Sequence, residues 1–246
     1  MLKLAEDLRL VDLALYFESC DSLAIADVHL GYEQALKECG VLVPRSHLKH
    51  IEQRLRHILD QLKLSSKLET LIINGDLRHQ FGQLSYPERQ ETQKLLGFFI
   101  QLASQIIIVQ GNHDHNLAFL TKVFRNLEIT RHYEQGHYLF MHGDKLPPRI
   151  PAHIETIVIG HEHPAVSLRD PVTGRVETYK CFLSGCFRNR QLLVQPSFNL
   201  LVKGSDLTKE KVLSPFIHET DLSEFDVFIV SDEGCVYHFG KLKPLI

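Results

Sequence analysis

The sequence predicts a layered α/β fold, and two observations carry that expectation. In the first half of its 246 residues, short apolar runs alternate with stretches of helical periodicity, whereas in the second half strand-like runs follow one another closely. Several runs, "TLIIN" and "QIIIV" among them, are too continuously apolar to face water on one side. This order favours a sheet flanked by helices with mostly antiparallel strands added, rather than a barrel.

The elements follow in turn. Apolar runs place strands near 9–17 and 23–28. Pro44 then precedes "RSHLKHIEQRLRHILDQLK", whose apolar spacing predicts a helix over about 45–63. A strand at 69–74, a helix at 87–103, a strand at 105–110 and a helix at 115–126 complete the alternating half. Strands near 128–132, 136–142, 154–160, 164–169, 176–183, 191–195, 226–231 and 234–239 fill the rest. The stretch 197–224 carries turn residues and reads as a long surface loop rather than a linker. No internal repeat stands out, so residues 1–246 are expected to form one domain.

A formal charge of −3 and a pI near 6.6 exclude a globally basic nucleic-acid binder, although a local basic patch is compatible with both. Five cysteines, Cys20, Cys39, Cys181, Cys186 and Cys235, are odd in number and lack CxxC spacing. They predict reduced thiols, a cytoplasmic location and no cysteine zinc site. The acidic N-terminal stretch and the lack of 18 uninterrupted apolar residues predict neither export nor a membrane span.

Chemistry gathers where the apolar runs stop. "LAIADVHLG" ends on Asp27, with His29 two positions on and so on the same side of an extended chain. "TLIINGDLRH" ends on Gly75 and Asp76, and "IIIVQGNHDH" on Gly111, Asn112, His113 and Asp114. "YLFMHGD" ends on His142, and "TIVIGHEH" on His161 and His163. The carboxyl ends of strands in layered α/β sheets line the crevice where ligands bind, so five such termini can aim Asp, Asn and His side chains at one point. Seven oxygen and nitrogen donors suit two divalent ions such as Mn²⁺, Fe²⁺ or Zn²⁺ better than one structural zinc. Taken singly, each motif has a plain alternative, a hydrogen-bonded histidine or a Gly-Asp turn.

The ordered series D-x-H, G-D, G-N-H-D, H and G-H-x-H resembles the calcineurin-like metallophosphoesterase superfamily. The wider context, "ADVHLGYEQALKECGVLVP", "MHGDKLP", "GHEHPAV" and "QPSFNLLVKGSDL", resembles the small stand-alone phosphoesterases related to the nuclease SbcD, which include archaeal proteins and the DNA-ligase-associated PdeM type of DNA repair. The resemblance implies a single-domain, four-layer α/β/β/α sandwich. It implies one ion on Asp27, His29, Asp76 and His163, and a second on Asp76, Asn112, His142 and His161, with Asp76 bridging. It implies direct phosphoester hydrolysis by a hydroxide held between the ions, with His113 protonating the leaving oxygen and Asp114 orienting His113.

"GDLRH" departs from the superfamily pattern G-D-x-x-D, since His79 stands where Asp is frequent. His79 either faces the substrate or caps a loop. Arg78, Lys145, Arg149, Arg188 and Arg190 are candidate phosphate contacts, and Arg45 is a further rim cation. The rim itself is expected from loops 30–45, 78–86, 143–153 and 184–190.

Within this resemblance the expected substrate is a phosphodiester, DNA, RNA or a nucleotide. With 83 residues after His163, neither SbcD's capping domain nor a stable ATPase partner is expected. A small-molecule phosphomonoesterase or a pyrophosphatase is the alternative. The pyrophosphatase of lipid A synthesis carries Arg at the position of His113 and an inserted cap, and both differences count against it. A non-catalytic scaffold would normally lack a ligand, whereas every ligand position here is filled.

Overall fold

A computed structural model describes residues 1–80, 82 and 86–243. Positions 81 and 83–85 of the expected rim loop 78–86 lie outside the described residues.

The first half forms β1 (Leu2–Lys3), β2 (Leu8–Val11), β3 (Ala14–Phe17), β4 (Ser22–Ile25), α1 (Tyr32–Glu38), α2 (His47–Leu62), β5 (Leu68–Asn74), α3 (Tyr86–Leu102), β6 (Ala103–Val109), α4 (Leu120–Val123) and β7 (Leu127–Thr130). These strands make one sheet in sequence order, β1 to β7. It is antiparallel as far as β4 and parallel from β4 to β7. The parallel pairs β4/β5 and β5/β6 need crossovers, supplied by α2 and α3, and the usual right-handed sense puts both on one face. Ile51, Leu55 and Ile58 of α2 and Leu95, Leu96 and Phe99 of α3 are buried at that contact.

The second sheet comprises β8 (His132–Gln135), β9 (Tyr138–Met141), β10 (Thr156–Ile159), β11 (Pro164–Arg169), β12 (Val176–Phe187), β13 (Arg190–Val194), β14 (Ser205–Asp206), β15 (Asp226–Val230) and β16 (Val236–Lys241), with the one-turn helix α5 (Pro215–His218) between β14 and β15. β10 lies parallel to both β9 and β13. β12 pairs antiparallel with β11, β13 and β15.

Alternation along these strands divides two apolar clusters. Phe140, Val158, Phe182, Leu193 and Phe228 join the first sheet's cluster. Their neighbours Leu139, Ile157, Leu183, Leu192 and Val227 join a second cluster with Phe216, Ile217 and Phe225. The two sheets are therefore stacked face to face, with Phe17 of β3 meeting Tyr138 and Phe140 of β9 at ring distances of 4.7 and 5.4 Å. The expected sandwich is present, but its second outer layer is mostly loop, with α5 as its helix.

The structure corrects several sequence expectations. The run 9–17 is a hairpin rather than one strand, because Asp12 adopts φ 55° and its carboxylate is held by Arg54 at 2.6 Å. The helix expected over 115–126 shrinks to the single turn α4, since Asn116 sits at φ 64°, where a right-handed helix cannot start. Helix α1, flanked by Gly31 and Gly40, escaped the sequence reading. The stretch 197–224 is not simply a surface loop: Phe198, Asn199, Asp206, Ser214, Phe216 and Ile217 are buried, Phe198 in the cluster between the sheets and Leu207, Phe216 and Ile217 in the outer one. No helix among the described residues is long and apolar enough to cross a membrane.

Candidate metal centre

The loops leaving β4 and β5 run alongside each other beyond the strands. Asp27 N–H donates to Gly75 O at 3.2 Å, His29 N–H to Asp76 O at 2.9 Å, and His79 N–H to Leu30 O at 3.0 Å. The loops leaving β9 and β10 are joined by Gly160 N–H to His142 O at 2.9 Å. The two pairs meet where His161 N–H donates to Asp27 Oδ2 at 2.9 Å. Beneath them, the buried Asn74 side chain donates to Val158 O at 3.2 Å and Gln195 Oε1 at 3.1 Å, and Gln195 donates to Ala24 O at 3.1 Å. These amides were not singled out in the sequence, although each is a polar break in an apolar run.

This meeting brings together all seven expected donors. Asp27, His29 and His163 form one group, and Asp76, His142 and His161 another. Asn112 Oδ1 lies 2.8 Å from His142 Nε2, in the second group. His29 Nε2 and His142 Nε2, one from each group, lie 3.7 and 3.5 Å from the same Asp76 Oδ2. Five of the seven, Asp27 (φ 53°), His29 (50°), Asp76 (40°), His161 (65°) and His163 (50°), occupy the left-handed backbone region. Such strain costs roughly 1–3 kcal/mol per residue and persists where the surroundings impose it, typically at functional sites. Gly111 is required here, because a Cβ on it would fall inside the Asp76 carboxylate.

The electrostatics suit cations. Burial, with the Asp27 and Asp114 carboxylates nearby, pushes Asp76 up to about 9. Burial also pushes Asp27 upward, yet the imidazoles of His163, His142 and His29 overcome it and hold that carboxyl below its ordinary range. Burial lowers His29 to about 2 and His142 to about 4, and moves His161 downward as well. Neutral imidazoles facing crowded carboxylates offer lone pairs without the positive charge that Asp76 needs. Asp27 Oδ1 and His142 Nδ1 are buried without a hydrogen-bond partner among the described residues, although they lie 3.5 Å apart. The donor set therefore fits divalent cations, whose charge would relieve the carboxylate crowding.

The protein matches the family model described as calcineurin-like phosphoesterase over residues 22–202. The chain belongs to the calcineurin-like phosphoesterase family. Members of this family are metal-dependent hydrolases, and the strand-end motifs of this metallophosphoesterase fall inside the matched region. Its structure is similar to that of the Pseudomonas putida nuclease MPE, with a TM-score of 0.62 and 20% identity over 94% of each chain. It is also similar to Yfce, a phosphoesterase from E. coli, with a TM-score of 0.44 and 13% identity, covering 89% of this chain and 98% of that one. No curated protein matches it at a significant level.

The neighbouring residues change several expectations for this phosphoesterase. No hydrogen bond joins the Asp114 carboxylate to the His113 ring among the described residues. That carboxylate accepts the backbone N–H groups of Leu77, Arg78 and Gly111 at 3.2, 3.2 and 3.1 Å, and burial raises it to about 6. His113 instead donates from Nδ1 to the carbonyl oxygen of His79, while its own N–H donates to Asp76 Oδ1 at 2.9 Å. His79 settles behind His29, with the two Nδ1 atoms 3.3 Å apart and its ring 4.5 Å from that of Tyr32. His29, His79 and His113 thus form a third, histidine-only group beside the other two.

The basic candidates scatter. Arg78 is buried, holding His115 O at 3.1 Å and Glu88 Oε1 at 3.5 Å, so it ties the loop after β6 to α3. Arg188 and Arg190 sit where β12 turns into β13, the end of the second sheet opposite the centre. Arg188 pairs with Glu219 at 2.7 Å, and Arg190 donates to Ile154 O at 2.9 Å. Arg45 donates to Gln34 at 2.8 Å. Lys145 and Arg149 do line a cavity beside Asn112 and His142, together with Arg131, which the sequence did not single out.

Proposed function

We propose that this protein hydrolyses phosphodiesters of nucleic acids or nucleotides. Two divalent cations, manganese in preference to iron or zinc, would be held by Asp27, His29, Asp76 and His163 on one side and by Asp76, Asn112, His142 and His161 on the other. The observation that carries this reading is the Asp76 carboxylate shared between the two histidine groups. A carboxylate suits that position because its negative charge offsets the repulsion of two neighbouring cations.

Bound cations would supply Lewis acidity, polarising a phosphoryl oxygen and making water nucleophilic near neutral pH. The chain supplies the rest. The His79 carbonyl keeps a proton on His113 Nδ1 and so fixes the ring. Nε2, 3.8 Å from Asp76 Oδ2, is then the atom from which the imidazolium would protonate a leaving ester oxygen. Asp114 is committed to three backbone amides, and the seven residues expected as ligands include no serine or cysteine and no carboxylate beyond Asp27 and Asp76, which would face the cations. Phosphoryl transfer therefore goes directly to water.

The shared fold with a Pseudomonas putida nuclease and the wide space beside the centre support a polymeric or nucleotide substrate. The test is turnover of bis-p-nitrophenyl phosphate with Mn²⁺, followed by single-stranded DNA, duplex DNA, RNA and a 2′,3′-cyclic nucleotide side by side, each with an Asp76→Asn control. Diester cleavage lost in the control is expected. Hydrolysis confined to monoesters would overturn the diesterase reading.

A further inference from the structure

A cavity of about 580 Å³ opens against Asn112 and His142, within the size range of small-ligand sites. Its walls differ in chemistry. Leu139, Met141, Leu146 and Pro147 contribute apolar lining, and Arg131 and Arg149 contribute guanidinium groups. Of the acidic lining residues, Asp114 accepts three backbone amides, Glu134 lies 3.1 Å from His153 and Asp144 3.5 Å from Lys145. The side chains of Arg131 and Arg149 make no ion pair or hydrogen bond with the described residues, so two guanidinium groups are left to a cavity whose lining also includes hydrocarbon.

That pairing narrows the occupant. An alkyl arm would leave the guanidiniums without anions, and an inorganic phosphate would leave the apolar wall in water. A nucleotide satisfies both, through a flat base and a further phosphate for which arginine's planar donor fork is suited. We propose that this cavity binds one nucleotide arm of the phosphodiester being cleaved, with the base against Leu139, Met141, Leu146 and Pro147 and the next phosphate on Arg131 and Arg149. The subsite rests on the phosphodiesterase reading and deepens it, because it explains how a centre that can grip any phosphoryl group would favour a nucleotide chain over a small ester.

The test compares two substrates with Mn²⁺: bis-p-nitrophenyl phosphate, which has no second phosphate to offer the arginines, and the trinucleotide TpTpT. Two variants are made, Arg131→Ala combined with Arg149→Ala, and Leu146→Trp to fill the apolar wall. Each is expected to lower the ratio of kcat/KM for TpTpT over the small diester by about tenfold, the scale of lost hydrogen bonds to charged groups. The arginine variant should also flatten the salt dependence of TpTpT cleavage, because it loses phosphate contacts. If the wild type turns over both substrates and the ratio stays within about twofold in either variant, the subsite is overturned and the phosphodiesterase reading stands. If the metal-loaded wild type turns over neither, both fall.

Discussion

His113 points its Nδ1 at the carbonyl oxygen of His79, whereas the carboxylate of Asp114 accepts the backbone amides of Leu77, Arg78 and Gly111. A carbonyl can only accept, so the proton sits on Nδ1 and Nε2 faces the Asp76 side of the centre. His113→Ala should therefore slow hydrolysis of esters with poor leaving groups by roughly a hundred- to ten-thousand-fold. It should slow p-nitrophenyl esters far less and leave bound metal unchanged. Rates across a leaving-group series, with metal content measured by atomic emission, decide the matter; an equal loss on every ester would remove His113 from the role of acid.

Asp76→Asn is expected to act differently, because it removes the negative charge shared by the two donor groups. Metal content should fall, and activity with it, on good and poor leaving groups alike. A fully metallated but slow Asn variant would mean that Asp76 does not bridge.

Gly111 and Gly97 make a contrasting pair. A Cβ on Gly111 would enter the space of the Asp76 side chain and crowd its backbone nitrogen, whereas around Gly97 on α3 there is nothing within 4 Å. Gly111→Ala should destabilise the fold by about 1–3 kcal/mol and lower metal affinity. Gly97→Ala should stabilise it by about 0.5–1 kcal/mol through helix propensity. Urea midpoints check both, and a Gly111→Ala protein as stable as wild type would contradict the close approach.

Lys180 is buried on β12 and donates to Ser197 Oγ at 2.7 Å; burial lowers it to about 7. An unfolded lysine titrates near 10.4, so between about pH 7 and 10.4 the unfolded chain holds the extra proton and stability rises with pH. Below that window both states are protonated and the full cost of burying the charge is present. Lys180→Met should be more stable than wild type at pH 6, by an amount on the order of a few kcal/mol, with the advantage shrinking toward pH 10. Denaturation midpoints that differ by the same amount at both pH values would refute the shift.

The candidate donor residues were legible in the sequence for a local reason: each stands within a few positions of the end of an apolar run. Strand ends on the same edge of stacked sheets converge whatever the detailed register, so Asp27, Asp76, Asn112, His142 and His161 could be named without knowing which strands pair. The sandwich was legible for a similar reason, because continuous runs such as "TLIIN" demand cover on both faces. Roles that depend on direction were decided by tertiary structure. Antiparallel pairing of β12 with β13 and parallel pairing of β13 with β10 put Arg188 at the end of the sheet away from the histidines that follow β10. Arg78 follows Asp76 by two residues, yet the packing of α3 turns it inward onto Glu88. Asp114 adjoins His113, but it is buried beneath the loop after β5 and meets three amide donors there, so its carboxylate is used up before His113 can claim it. Proximity along the chain locates a side chain to within a few ångströms of backbone; which group it touches depends on partners contributed from distant residues, and that is settled when the sheets stack.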